Sequence, residues 1–433
     1  GAGAASEIPR TTSRSFGFSL ERLRSTASLK RTFSSLGEPS YRNLWIGFLF
    51  YGAAMHMQML ARGFFVYDLT RSEPILGIVT AATAIPVLTL ALFGGVIADR
   101  SERKKIIQVG QVVSLILVLV IAVSITTGTI TWQHLLVASI VHGAVMTLMM
   151  PARQAVIPQL VGTDRVMNAV ALNSMGISLT AMLAPAVAGG MIAAIGIGKL
   201  YYLLAVFYAG AIFFTGLLPR LESQSRGVPS SVLGDIRDGF RYLLSNRVIL
   251  LMLLLSFSTM VLSMPLRFIL PIFAKDVFLV GPGGLGAMMS AIGIGSFAGA
   301  LFIASLGKVA RRGFVLGASG IVFGVILLGF ATMAYFAPFY LAALGFMVLL
   351  GIIQAARLTL NSSLMMEYSD QEYRGRVMSL NILTFGLMPA GVLPITLMVD
   401  SIGAPLASSI MAILMILVSS AILVFSSSLR RLE

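Results

Sequence analysis

The sequence of 433 residues contains no cysteine, which excludes disulfides, thiolate nucleophiles and cysteine-ligated metals. Charged residues make up 11% of the chain, where a soluble globular protein carries about 25%. A surface so poor in charge does not face water over most of its area. Histidine occurs three times, never paired at metal spacing, so no metal site is expected. The Gly-x-x-x-x-Gly-Lys-Ser/Thr loop of nucleotide hydrolysis is missing, and so is any catalytic constellation. Acidic residues are also missing from the middle of every long apolar run, since Asp68, Asp99 and Asp400 all stand near run ends. An enzyme is therefore not expected, and no cofactor is implied.

What is abundant is apolar: 57% of the residues are hydrophobic, and the mean hydropathy is +0.92. A membrane-spanning helix needs about 20 apolar residues. Runs of that kind fall at 44–67, 75–98, 106–127, 134–151, 170–195, 201–218, 247–272, 284–306, 313–335, 338–361, 377–400 and 404–428. The expected fold is an all-α polytopic membrane protein of twelve spans in two six-helix bundles. The opening Gly1–Ala4 is set aside as a trimmed end, and the spans themselves are expected to direct insertion. The net charge of +14 could point to nucleic acid, but the basic residues sit between apolar runs rather than in a polar domain. No nucleic-acid partner is expected; the partners are a small solute and the bilayer, and the protein is expected to be monomeric.

Orientation follows from Lys and Arg. Twenty-five of the 31 fall on the side of the N-terminus, five fall opposite (Arg62, Arg71, Lys199, Arg267, Lys275), and Arg357 lies within a span. Both termini are expected to be cytoplasmic, in a bacterial inner membrane. The longest polar interruption divides the spans six and six. The expected units are a basic segment 1–39, a bundle 40–218, a linker 219–246 and a bundle 247–433. Within the linker, Val232, Leu233, Ile236, Phe240, Leu243 and Leu244 have helical spacing, as an interfacial amphipathic helix would. The stretch 10–36 reads as a disordered tail or a second surface helix.

The halves echo each other. Arg165-Val166-Met167-Asn168 and Arg376-Val377-Met378-Ser379 recur 211 residues apart, and Met59-Leu60-Ala61-Arg62 and Met264-Pro265-Leu266-Arg267 recur 205 apart. Internal repeats of this kind recur in secondary transporters, with substrate bound at the repeat interface.

The loop after the second run reads Gly95-Val96-Ile97-Ala98-Asp99-Arg100-Ser101-Glu102-Arg103-Lys104-Lys105. A glycine allows close helix approach, and an acid beside a helix N-terminus is favoured by the dipole. The loop resembles the signature between the second and third helices of the major facilitator superfamily. Leu69–Ser72, the run from Pro151 through Arg153 and Pro158 to Ala169, and Tyr373–Val377 narrow the resemblance to the macrolide-efflux and enterobactin-exporter branch. The resemblance covers about residues 40–428. It implies export of amphipathic organic molecules by alternating access, usually with proton antiport. It also implies a conformational latch, here carried by Gly95, Asp99, Arg100, Arg103 and Lys104 with Arg374 and Arg376. Two departures stand out. The antiporter signature of the fifth helix appears as Ala184-Pro185-Ala186-Val187-Ala188-Gly189-Gly190, with alanine at two glycine places, and the fourth run offers His142 rather than an arginine. Candidate proton carriers are then His56, His142 and Asp68, the two histidines being the only groups inside spans that titrate near neutral pH.

Polar side chains inside a span are costly and usually face the bundle interior. Four runs carry them in stripes: Tyr51, Met55, Gln58, Arg62; His142, Met146, Met149, Arg153; Ser256, Thr259, Ser263, Arg267; and Gln354, Arg357, Asn361. These runs begin the four three-helix repeats, the helices that line the central cavity in the superfamily. The substrate-binding candidates are accordingly Gln58, Arg62, His142, Ser263, Arg267, Gln354, Arg357 and Asn361. His56 lies about 200° from Gln58 around a helix, so Gln58 is preferred. Arg62 and Arg267 stand about 27–30 Å along their helices, where snorkelling to the far surface is the alternative. The 24 methionines fill gaps or line a plastic wall. If the arginines face inward, the cavity suits an anionic or zwitterionic amphiphile. A lipid or lysolipid facilitator with lateral entry, and a transport-silent membrane receptor, remain the alternative functions. Gly281-Pro282-Gly283-Gly284-Leu285-Gly286 matches a dinucleotide fingerprint, but no strand precedes it; a flexible outer loop is expected there.

Overall fold

The computed structural model describes residues 33–90, 102–162, 165–219, 246–305, 311–370 and 384–426, together with Arg241, Tyr373, Val377 and Asn381. Six helices form the first half: α1 (Pro39–Thr70), α2 (Glu73–Leu90), α3 (Arg103–Thr126), α4 (Trp132–Val161), α5 (Val166–Ile195) and α6 (Ile197–Gly216). Six more form the second: α7 (Arg247–Leu262, continued by Pro265–Ile272), α8 (Gly281–Ser305), α9 (Arg312–Phe336), α10 (Tyr340–Tyr368), α11 (Pro389–Ile402) and α12 (Ala404–Phe425). Eleven are long and apolar enough to cross a membrane, and α11 is the shorter twelfth. Val232, Leu233, Ile236, Phe240, Leu243 and Leu244 of the expected linker helix, Gly95, Asp99 and Arg100 of the signature loop, and Arg374 and Arg376 lie outside the described residues. So does the N-terminal stretch up to residue 32, although Ser34–Gly37 forms a tight turn whose Ser35 N–H donates to Asn168 Oδ1 at 3.0 Å.

Local chemistry sets the helix ends. Pro39 opens α1, where a missing N–H costs nothing, and Arg71 closes it in the left-handed conformation (φ 49°). Ser72 caps α2 by accepting from the Ile75 N–H, and Asn246 caps α7 by accepting from Val248 and Ile249. The α5–α6 and α11–α12 hairpins each turn on one glycine, Gly196 (φ 84°) and Gly403 (φ 85°). That conformation is open to glycine and strained for other residues. The two stand 207 residues apart, a third pair in the internal repeat.

Several boundaries differ from the sequence reading. Helix α4 continues ten residues past its expected end, through Pro151 and Pro158. A proline is tolerated in a membrane helix where neighbours re-satisfy the freed backbone groups, and Ala152, Val156 and Ile157 are buried under this extension. Helix α10 runs on to Tyr368 rather than stopping at Asn361, and the Arg312 guanidinium grips Glu367 on this extension through two bonds of 2.8 and 2.9 Å. The fork-to-carboxylate geometry offsets the polar tail. Gly281–Gly286 is not a loop but the opening turn of α8, with Pro282 next to the helix start and Leu285 fully buried. Helix α7 breaks at Ser263–Met264 ahead of Pro265, then ends in a wider π turn over Phe273–Val277.

The halves meet along two seams, α5 against α8 and α2 against α11. A Cβ on Gly189 of α5 would overlap the Pro282 carbonyl oxygen and sit 2.9 Å from Gly286 Cα, so the backbones touch there. Nothing lies within 4 Å of such a Cβ on Gly190. One glycine of the fifth-helix signature is thus required by packing, and the second is not. Along the same seam the Ala186 N–H donates to Ser290 Oγ at 3.0 Å. At the end away from the termini a polar cluster crosses between halves. Asp68 pairs with Lys275, the Tyr67 hydroxyl donates to Asp276, and Arg71 lies 3.6 Å from Asp276. Tyr67 also reaches Glu73 Oε1 at 3.2 Å. This end of the interface is closed.

Candidate functional site

Beneath that closed end lies a narrow chamber between the halves. From the first half it is lined by Met59, Arg62 and Thr80, and from the second by Arg267, Phe268 and Met289. Arg62 and Arg267 therefore point into the protein from the two repeat-related helices, rather than out to the far surface. Both carry buried nitrogens without a partner, Nη1 of Arg62 and Nε of Arg267. No carboxylate pairs with either among the described residues. An ionised donor is costly to bury without an acceptor, so an acceptor placed between the two guanidiniums would be stabilised.

His142 on α4 is buried, its Nδ1 unpartnered, and lies within electrostatic range of Arg62. His56 Nδ1 donates to the Gly52 carbonyl at 2.9 Å, and the ring lies within range of Arg267. Gln58 is 2% exposed and accepts the Tyr208 hydroxyl at 2.7 Å, inside the first bundle. Its carboxamide thus ties α1 to α6 and does not line the chamber.

In the second half the polar stripe of α10 divides. Gln354 donates towards the Met264 sulfur at the α7 break (3.6 Å), beside Ser263, whose buried hydroxyl has no partner. Asn361 donates to Ser256, which donates in turn to Asn381 Oδ1 at 2.8 Å. Arg357 is 2% exposed and turns the other way, towards Met415 of α12 (3.9 Å) and the crossing with Gly320 of α9. Its Nε and Nη2 have no partner, and neither has the Ser419 hydroxyl at the same crossing.

Two residues of the expected latch are described. Arg103 donates to the Ala155 carbonyl at 3.0 Å, and Lys104 to the carbonyls of Gly216 (2.9 Å) and Leu218. A cation on the last carbonyls of α6 is favoured by the helix dipole. Both residues fasten the first half to itself in this structure. The sequence reading counts Lys275 only for orientation and passes over Tyr67 and Asp276, although opposite charges close to the matching ends of α1 and α7 are a usable signal. It had Asp68 as a proton carrier, and the structure pairs it with Lys275.

The profile of the transmembrane secretion effector family matches residues 30–433. The chain is 26% identical over 364 residues to the staphyloferrin A transporter of Staphylococcus aureus, covering 81% of this chain and 87% of that protein. It is 23% identical over 354 residues to macrolide efflux protein A of Streptococcus pyogenes, covering 78% and 84%. The crystal structure of the nucleoside transporter NupG superposes with a TM-score of 0.71 at 16% identity over 89% of this chain and 98% of that one, which speaks for the fold alone. These relatives are transporters and not enzymes. The chain is a multi-pass membrane protein that belongs to the transmembrane secretion effector family, an efflux branch of the major facilitator superfamily.

Proposed function

We propose that the protein exports amphipathic organic anions by alternating access, the two halves rocking about the chamber between Arg62 and Arg267. The observation that carries this reading is a pair of inward guanidiniums, one from each half, without a carboxylate partner among the described residues. A ligand that brings the anion satisfies both halves at once and favours the arrangement in which they approach. The apolar lining from Met59, Phe268 and Met289 suits the rest of an amphiphile. Excess Lys and Arg at the end that carries the termini support a cytoplasmic location for it in a bacterial inner membrane. The closed end then faces outward. The latch at Gly95–Lys104 with Arg374 and Arg376 would hold the opposite state.

The test is transport in proteoliposomes. A panel of amphiphilic carboxylates, their neutral amides and lysolipids is offered with and without a pH gradient. Export of the carboxylates is expected to fall at least about tenfold in Arg62→Gln and in Arg267→Gln, since a hydrogen bond to a charged group contributes about 1.5–3 kcal/mol. Movement of lysolipids without a gradient, unaffected by either substitution, would assign the protein instead as a lipid facilitator. No transport of any compound would leave it a receptor.

A further inference from the structure

A second cationic recess lies at the end that carries the termini, between α1, α4 and α5. Tyr41, Trp45 and Phe48 of α1, Arg153 of α4, and Asn173 and Ile177 of α5 line it. Phe48 and Arg62 are 14 residues apart on α1, hence about 21 Å along the helix, so the recess is separate from the chamber. The sequence places Arg153 at a span end, where a cation meets water. In the structure α4 continues past it to Val161, and Arg153 is only 8% exposed.

Its surroundings satisfy that guanidinium on one face only. The Arg153 carbon sits 3.4 Å from the Phe48 ring centroid and 5.3 Å from that of Tyr51. Stacking on a ring stabilises the cation but supplies no acceptor in the guanidinium plane. Nη2 is buried with no partner. The aromatic wall is fixed. The Tyr41 hydroxyl donates to the Ala169 carbonyl at 2.7 Å, and Trp45 Nε1 to the Leu172 carbonyl at 2.9 Å. Their polar ends are engaged and their ring faces are left to line the space.

We infer that this recess binds an organic anion with a flat apolar body, its charge on the Arg153 guanidinium and its body against Trp45. A guanidinium held in place by stacking, beside rings that lose no freedom on binding, is preorganised for such a ligand. A lipid phosphate offers the same charge. The depth of Arg153 favours one small acid over a headgroup that must keep its chains in the bilayer.

Binding here is measured without transport, so its failure and that of the export reading are distinguishable. The chain has two tryptophans, and Trp132→Phe leaves Trp45 as the only reporter. In phosphatidylcholine nanodiscs, 4-phenylbutyrate should change Trp45 fluorescence saturably, and the neutral 4-phenylbutyramide should bind at least about tenfold more weakly. Arg153→Gln should weaken the acid to a similar extent. Ile177→Phe, which fills the mouth and leaves Arg153 in place, should do so too, while Lys199→Gln, exposed at the opposite end, should leave the affinity unchanged. Equal binding of acid and amide overturns the proposal. So does an unaltered affinity in both recess variants, or a full fluorescence change produced by adding phosphatidylglycerol alone.

Discussion

Replacing Asp276 by Asn should shift the two halves towards opening at the end away from the termini. The Asp276 carboxylate accepts from the Tyr67 hydroxyl of the opposite half and lies 3.6 Å from Arg71 of that half. A hydrogen bond to an ionised acceptor contributes about 1.5–3 kcal/mol, and an exposed ion pair about 0–1 kcal/mol. Asp276 is 40% exposed and Arg71 61%, so the ion pair belongs at the bottom of its range. Asn keeps an acceptor for Tyr67 but removes the charge, which leaves a loss of about 1–2 kcal/mol. That is about a five- to thirtyfold change in the ratio of closed to open. The absence of cysteine makes the assay direct. Spin labels on Leu69→Cys and Leu279→Cys, both exposed and on opposite halves, report the separation as a distance distribution. The labelled parent should be mainly in the short population, and Asp276→Asn should move it by the stated factor. Tyr67→Phe should produce a similar shift, and the two together less than their sum, because they share one bond. Raising salt to 1 M should reproduce little of the effect, since screening weakens the exposed Arg71 pair but not the hydroxyl bond. Unchanged distributions in both single variants would refute a closing role for the cluster.

Two further outcomes follow from packing. Gly189→Val should force α5 away from α8, costing about 1–3 kcal/mol by overpacking, and should appear as a longer distance across the seam along with a lower melting temperature. A valine at Gly190, where a Cβ meets nothing, should be tolerated in the same melt. Gln58→Leu leaves the buried Tyr208 hydroxyl without its acceptor and should cost about 1–3 kcal/mol. Adding Tyr208→Phe should restore most of it; a double variant that melts no higher than Gln58→Leu would show that the bond is not what holds Gln58.

Helix number and symmetry were legible because a bilayer demands long apolar runs and the repeat leaves paired words such as those ending in Arg62 and Arg267. What was not legible depends on contacts between distant segments. Nothing near Pro151 in the sequence says that α4 continues, because the burial that sustains it comes from other helices. Helical spacing separates His56 from Gln58, but their assignment to faces needs the position of α6, where Tyr208 donates to the carboxamide. Arg357 reads as deep in a span, and so it is. That it turns towards α9 and α12 rather than the chamber is decided by the small residue Gly320 and by Ser419, neither near it in sequence. The closing cluster escaped because Asp276 acts only when Tyr67 is beside it, 209 residues away along the chain.

The two guanidiniums of the chamber also bear on membrane voltage. A site that exchanges access between the two sides carries its fixed charges through part of the transmembrane field, and one elementary charge across 100 mV corresponds to about 2.3 kcal/mol. In the proposed export cycle, moving outward with a dianion on Arg62 and Arg267 displaces almost no net charge, and returning empty moves positive charge. Inside-negative potential would then act on the empty step and leave the loaded step untouched, which transient currents recorded with and without substrate would distinguish. The same positive charge repels sodium and hydronium from the passage between the halves, so the chamber can open to an anion without becoming a leak for the cations on which the cell's energy depends.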